Sequence, residues 1–225
     1  FLKTSNQINE KFKVDFRADN IYDINGGNTW VTSANADYLL RTNDTDVLDF
    51  ELIHVGQKGL KSGKVYFIYG DKKHREWILT DKGTTIYGKK FSTNVPYKWI
   101  REVGEYVFLA TENGKVIVVD EKNRATNVPL PEGITHINEL KNTGYQLLLA
   151  TNLGVVIYNP RTFKSEIINI QSPSQPLAEV KKLYVDDYGT VWTFTNGMGV
   201  TIVNPKTSEK RWLFADQPDP VDGPS

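Results

Sequence analysis

Short apolar runs such as WILT, YVFLA, QLLLA and VWTFT recur along the chain, separated by glycine, asparagine, aspartate and proline. Their length is that of a β-strand, and the punctuation between them is that of turns. No segment of eleven or more residues carries a sustained apolar stripe at the 3.6-residue spacing of a helix. The pattern predicts an all-β fold with almost no helix.

Placing a bulky apolar residue three positions ahead of a Thr or Ser brings five stretches into register: TWVTSANA, REWILTDKG, YVFLATENG, LLLATNLG and VWTFTNGMG. The anchors, Trp30, Trp77, Phe108, Leu148 and Trp192, fall 47, 31, 40 and 44 residues apart. A period near forty is that of a four-stranded propeller blade. The last repeat divides into four strand-sized segments, VKKLYVD, TVWTFT, GVTIVN and KRWLFA. The second segment of each repeat is continuously apolar, as a strand covered on both faces must be, whereas fourth segments such as SEIINI alternate and keep one face in water. NPRT at 159–162 and NPKT at 204–207 fall between third and fourth segments, where Asn and Pro suit a hairpin turn.

The predicted architecture is a β-propeller region of about five four-stranded blades, an open fragment of a larger propeller, with repeats near 20–54, 64–96, 97–131, 134–171 and 178–215. Residues 1–19, which contain FKVDFRAD, read as the outer strand of a preceding blade, and 216–225 as a Pro- and Asp-rich tail. The chain repeats itself because a single blade cannot bury its own faces.

Charge narrows the partners. Lys plus Arg and Asp plus Glu both number 27, so no net field draws nucleic acid or an anionic membrane surface. Cysteine is absent, which excludes a disulfide framework, a thiolate metal site and a cysteine nucleophile. The first residue is Phe1 and no apolar run reaches membrane length, so the chain reads as a piece of a longer protein with no membrane contact of its own.

The fifth repeat, VKKLYVDDYGTVWTFTNGMGVTIVNPKT, resembles the repeat of the two-component regulator propellers. The matching positions are Val180, Asp186 or Asp187, Gly189, Trp192, Thr195 and Gly199. Repeats one and four match more loosely; two and three keep the apolar–Thr–x–x–Gly portion. The resemblance implies the periplasmic sensor portion of an inner-membrane hybrid sensor histidine kinase and response regulator, of the kind Bacteroides-like bacteria use to detect glycan fragments. It further implies an oligosaccharide ligand, a homodimeric full-length receptor, no cofactor, and a kinase outside this sequence.

Candidate chemistry is sparse. His54, His74 and His136 lie far apart without second ligands at i+3 or i+4, so no metal site is expected. Asp186 and Asp187 are neighbours in a turn, a poor arrangement for two carboxyl groups that must face each other across a glycosidic bond. Trp30, Trp77 and Trp192 keep a fixed place in the repeat, which points to packing between blades; Trp99 and Trp212 lie off that register. Asn43-Asp44-Thr45 fits a glycosylation sequon, and no G-x-S-x-G occurs. The expectation is a non-catalytic ligand-sensing domain. The alternatives are a protein-interaction scaffold and a propeller-fold glycan lyase or hydrolase.

By fold analogy alone, a ligand would meet the loops joining second to third strands and those joining successive blades. The candidate ligand-binding residues are therefore Asn35, Lys82, Asn113, Asn152 and Asn196 in the former, and Tyr97, Trp99 and His136 in the latter. Lys98 and Gln175 share those connections. Asn also suits left-handed turn geometry, which accounts for its recurrence without a ligand and is the favoured explanation.

Overall fold

The computed structural model describes residues 2–24, 28–42, 50–61, 63–171, 178–195 and 199–213, with side chains from residue 6 onward. The chain divides into two compact lobes, 1–98 and 99–225. The first lobe holds a helix, α1 (Leu2–Phe12), and two blades. Blade one is β1 (Ala18–Ile24), β2 (Asn28–Ser33), β3 (Tyr38–Thr42) and β4 (Phe50–His54); blade two is β5 (Val65–Gly70), β6 (Glu76–Thr80), β7 (Gly83–Ile86) and β8 (Ser92–Thr93).

The second lobe holds three blades. Blade three is β9 (Trp99–Val103), β10 (Tyr106–Ala110), β11 (Val116–Val119) and β12 (Ala125–Asn127). Blade four is β13 (Ile137–Asn142), β14 (Leu147–Thr151), β15 (Gly154–Asn159) and β16 (Lys164–Ile168). Blade five is β17 (Lys182–Val185), β18 (Val191–Phe194), β19 (Val200–Val203) and β20 (Lys210–Leu213). All five sheets are antiparallel meanders, and the fold is the expected all-β propeller type.

Burial follows the repeat. Second strands β6 and β14 are buried at every position and β10 at all but its first, while outer strand β16 alternates and β12 is exposed throughout. Within the second lobe the first strands are the innermost. The Asn142 amide of β13 donates to the Glu102 carbonyl of β9 (2.7 Å), and the Glu139 carboxylate of β13 accepts from the Leu183 amide of β17 (2.7 Å).

Trp30, Phe108 and Leu148 face the following blade of their own lobe. Trp30 joins Ile68 and Ile78 of blade two, Phe108 meets Tyr158 of blade four edge-on at 5.7 Å, and Leu148 packs with Leu183 and Val191 of blade five. The corresponding face of blade five carries Tyr184 (58% exposed), half-buried Trp192 and Phe194 (40% exposed), so it stands open to solvent.

The amino terminus departs from expectation. Residues 2–17 supply a helix and a short coil instead of an outer strand, and Ala18 already begins β1. Ile8 and Phe16 are buried against Leu40, with Phe12, Val31, Phe50 and Leu52 around them, so the helix covers the face of blade one that a preceding blade would cover. Each of these burials contributes about 1.5–3 kcal/mol. Lys13 ends the helix at φ 58°, its amide bonded to the Asn9 carbonyl, and the Asn9 side chain accepts from the Phe16 amide. The 216–225 tail and Asn43-Asp44-Thr45 lie outside the described residues.

Candidate functional site

In blades one to four the hydroxyl that ends the second strand closes the loop to the third, whereas the Thr195 hydroxyl of blade five is buried without a partner among the described residues. Thr80 Oγ1 donates to the Gly83 carbonyl (3.0 Å) and accepts from the Lys82 amide; Thr151 Oγ1 does the same with Gly154 (2.8 Å) and Leu153. Thr111 Oγ1 donates to Asn113 Oδ1 and accepts from the Lys115 amide, and Ser33 Oγ donates to Asn35 Oδ1 and accepts from the Tyr38 amide. The sequence places Thr or Ser here because a short hydroxyl reaches backbone groups two to five residues on.

This use of the loop decides what its asparagines can do. Asn152 Oδ1 accepts from the Thr135 and His136 amides (3.0 and 3.1 Å), and its Nδ2 donates to the Gly133 carbonyl (2.9 Å). The side chain therefore clamps the connection between blades three and four. Asn113 is exposed, with Oδ1 turned back to Thr111. Asn35 is exposed and lines a hollow of about 310 Å³ in the first lobe, together with Asp19, Ser33 and Lys64. Lys82 is exposed beside Asp81 (3.8 Å). Tyr97 is 2% exposed, which leaves no ring face for a ligand, and burial pushes its phenol pKa up. Trp99 is half-buried against the core shared by blades three and four. His136 is exposed and meets Asn152 through its own backbone. Asn196 and Gln175 lie outside the described residues. The structure thus brings Asn152 and His136 together.

Replacing Asn152 by alanine is expected to lower stability by about 0.5–1.5 kcal/mol, the net worth of hydrogen bonds at an exposed site where water can serve the amides and carbonyl that lose their partner. Chemical denaturation checks this; an unchanged midpoint would show the clamp idle.

A second device recurs that the sequence reading resolved only in part. In blade five Asp186 Oδ1 accepts from the Tyr188 and Thr190 amides, and Oδ2 from the Trp192 indole (3.1 Å); Gly189, three residues on, has φ 80°. Asp186, and not Asp187, is therefore the turn residue. Blade two repeats the arrangement. Asp71 Oδ1 accepts from the Lys73 and Arg75 amides, and Oδ2 from Arg75 Nε (2.5 Å) and the Trp77 indole (2.8 Å), with His74 at φ 56° in the glycine's place. Blades three and four anchor on Phe108 and Leu148, which have no indole to satisfy, and their first turns carry no such aspartate. Trp30 of blade one has Ile24 at that position, and its indole nitrogen has no partner among the described residues.

At the junction of blades four and five, the Lys181 ammonium and the Asn138 amide hold the Glu179 carboxyl below the usual range; the Trp192 indole, then the turn amides, do so for Asp186. A depressed folded pKa stabilises above the unfolded value and is lost as pH falls through the folded one. Stability should be full at neutral pH and decline below about pH 4. Urea midpoints at pH 7 and pH 3.5 should differ in that direction, and less so in an Asp186→Asn, Glu179→Gln variant; equal midpoints would contradict the assignment.

Among the described residues no group of three or more His, Cys, Asp or Glu stands close enough to hold a metal ion. No described helix is long and apolar enough to cross a membrane. Trp212 is half-buried, its indole donating to the Ile170 carbonyl (2.9 Å).

No protein-family model matches the chain, and neither does any curated protein. Solved structures do. The extracellular domain of the candidate one component system BT4673 from B. thetaiotaomicron matches with a TM-score of 0.58 at 19% identity, over 90% of this chain and 31% of that one. The extracellular domain of the candidate hybrid two component system BT3049 from the same organism matches at 0.53 and 16%, over 86% and 29%. Virginiamycin B lyase from Staphylococcus aureus matches at 0.58 and 13%, over 91% and 72%. The chain thus spans about a third of the length of the BT4673 domain. At these identities the likeness establishes the fold, and the chain is similar in fold to extracellular domains of Bacteroides two-component systems, whose repeat its fifth blade also resembles.

Proposed function

We propose that this chain is part of the periplasmic, oligosaccharide-sensing region of a hybrid two-component receptor, and that it binds without catalysing a reaction. One observation carries the reading: Asn152, Thr151 and Thr111 are spent on holding the backbone of the loop face, and the described side chains there do not converge as titratable groups. Such a face is rigid and gives no acid–base pair, while the exposed Asn113 and His136 side chains on it supply an amide and a ring nitrogen for sugar hydroxyls. The fold shared with the extracellular domains of BT4673 and BT3049 supports a sensing role, and the fold shared with a lyase keeps an enzyme as the competitor.

Signalling would follow from differential affinity. The ligand favours one arrangement of paired receptors, and the bias passes to a kinase outside this sequence. The open apolar face of blade five, with Tyr184 and Phe194, favours a second reading in which the domain binds protein.

Differential scanning fluorimetry of the receptor's extracellular region, and of this chain, against a panel of oligosaccharides separates the readings. Saturation at a hundred times Kd should raise the melting temperature by roughly 5–10 °C. No shift for any saccharide, with a specific protein bound instead, would overturn the sensing reading in favour of the second.

A further inference from the structure

The flank of the second lobe holds a cavity of about 320 Å³ between the outer hairpins of blades three and four. Tyr106, Val118 and Tyr158 form an apolar floor; Arg124 and Phe163 stand at its sides. Its size is near the lower limit of ligand pockets, enough for one ring and not for an extended chain.

Phe163 is the informative residue. It is 61% exposed, so its ring gains little from burial, and it sits at φ 58°, a conformation that a bulky side chain disfavours. The hairpin itself does not call for it. The blade-five hairpin is built from the same bonds: the Phe163 amide donates to the Asn159 carbonyl as the Ser208 amide does to Asn204, and the Asn159 and Asn204 side chains accept from Arg161 and Lys206. Ser208 holds the same left-handed position at φ 58°. The blade-three hairpin places Asn123 at φ 61°. Two hairpins of the second lobe thus use a small polar residue at the strained position, and the one beside the cavity uses an aromatic ring.

The opposite wall supplies donors. Asp120 Oδ1 accepts from the Lys122 and Arg124 amides and Oδ2 from Arg124 Nε (2.7 Å), which orients the exposed guanidinium. Those backbone and guanidinium donors, the Arg124 amide first, hold the Asp120 carboxyl well below its usual range. The carboxylate is occupied, and the terminal guanidinium nitrogens have no protein partner among the described residues. An aromatic platform and oriented, planar donors lining one cavity match a ring with an apolar face and hydroxyl or carboxylate oxygens at its rim.

From this we infer that the Phe163–Arg124 cavity is a subsite for a single pyranose residue, stacked on Phe163 and hydrogen-bonded by Arg124. The inference rests on the oligosaccharide reading but places a contact away from the loop face.

The test is saturation-transfer NMR of the intact chain with the methyl glycosides of glucose, galactose, mannose and glucuronic acid, beside the variants Phe163→Ser and Arg124→Lys. At least one glycoside should receive saturation on its ring protons, and Phe163→Ser should weaken its Kd tenfold or more. Because serine relieves the left-handed position, Phe163→Ser should melt no earlier than the parent. Arg124→Lys should weaken binding several-fold without changing the melting temperature. Saturation unchanged in Phe163→Ser, no saturation with any glycoside, or a Phe163→Ser melting point several degrees lower would each overturn the subsite. Oligosaccharides that still shift parent and Phe163→Ser melting equally would leave the sensing reading standing while the subsite falls; no response to any saccharide would remove both.

Discussion

Replacing Asp71 by alanine is expected to lower the melting temperature on the order of ten degrees, the largest loss from any single carboxylate described above. Asp71 is 0% exposed and accepts four hydrogen bonds. Its removal takes away the carboxylate to which the Arg75 guanidinium, 6% exposed, and the indole of fully buried Trp77 both donate. Breaking a buried pair by deleting one partner costs about 3–5 kcal/mol, because the surviving charge stays out of water. The same physics predicts rescue. Adding Arg75→Leu and Trp77→Phe removes both donors that Asp71 serves and should recover a substantial part of the loss, since blades three and four manage with Phe and Leu anchors. Thermal denaturation of the single and triple variants decides; a single variant within a degree or two of the parent would refute the role of the turn.

The second large effect is at Gly154, the glycine of the apolar–Thr–x–x–Gly pattern. Its φ is 120°, and a Cβ there would lie 2.4 Å from the Ile168 carbonyl oxygen, a backbone atom held in the β15–β16 ladder. Gly154→Ala must part those strands or distort the Thr151 loop, at a cost on the order of 3 kcal/mol or more. Gly104 provides the control. It has φ 61° with nothing near its missing Cβ, so Gly104→Ala meets only the left-handed penalty of about 1–2 kcal/mol. Urea denaturation of the two variants should rank them in that order, and equal losses would mean that the clash relaxes at no cost.

Legibility in the sequence followed the range of the interactions. The blades could be read because the burial of second strands β6, β10 and β14 calls for uninterrupted apolar runs, whose pattern recurs every forty residues or so, and because NPRT and NPKT mark their hairpins locally. The helix could not. Its eleven residues contain only Leu2, Ile8 and Phe12 as apolar positions, and its packing comes from β2, β3 and β4, far along the chain. The Asp71 turn escaped because His74 stands where the repeat shows glycine, although the Asp-to-Trp spacing of six would have found it. Loop positions of the candidate site followed from the repeat, but their employment did not: Asn152 serves amides 16 and 17 residues upstream. The contact between Arg41 and Glu76 (2.8 Å), which ties blade one to blade two, spans 35 residues and left no local signature either.

Binding without chemistry is tested most directly by calorimetric titration of the receptor's extracellular region with the oligosaccharide panel, followed by mass spectrometry of the recovered glycan. A saturable heat for one glycan class and a recovered glycan of unchanged mass are expected. A cleaved or eliminated product, or no heat from any member of the panel, would contradict it.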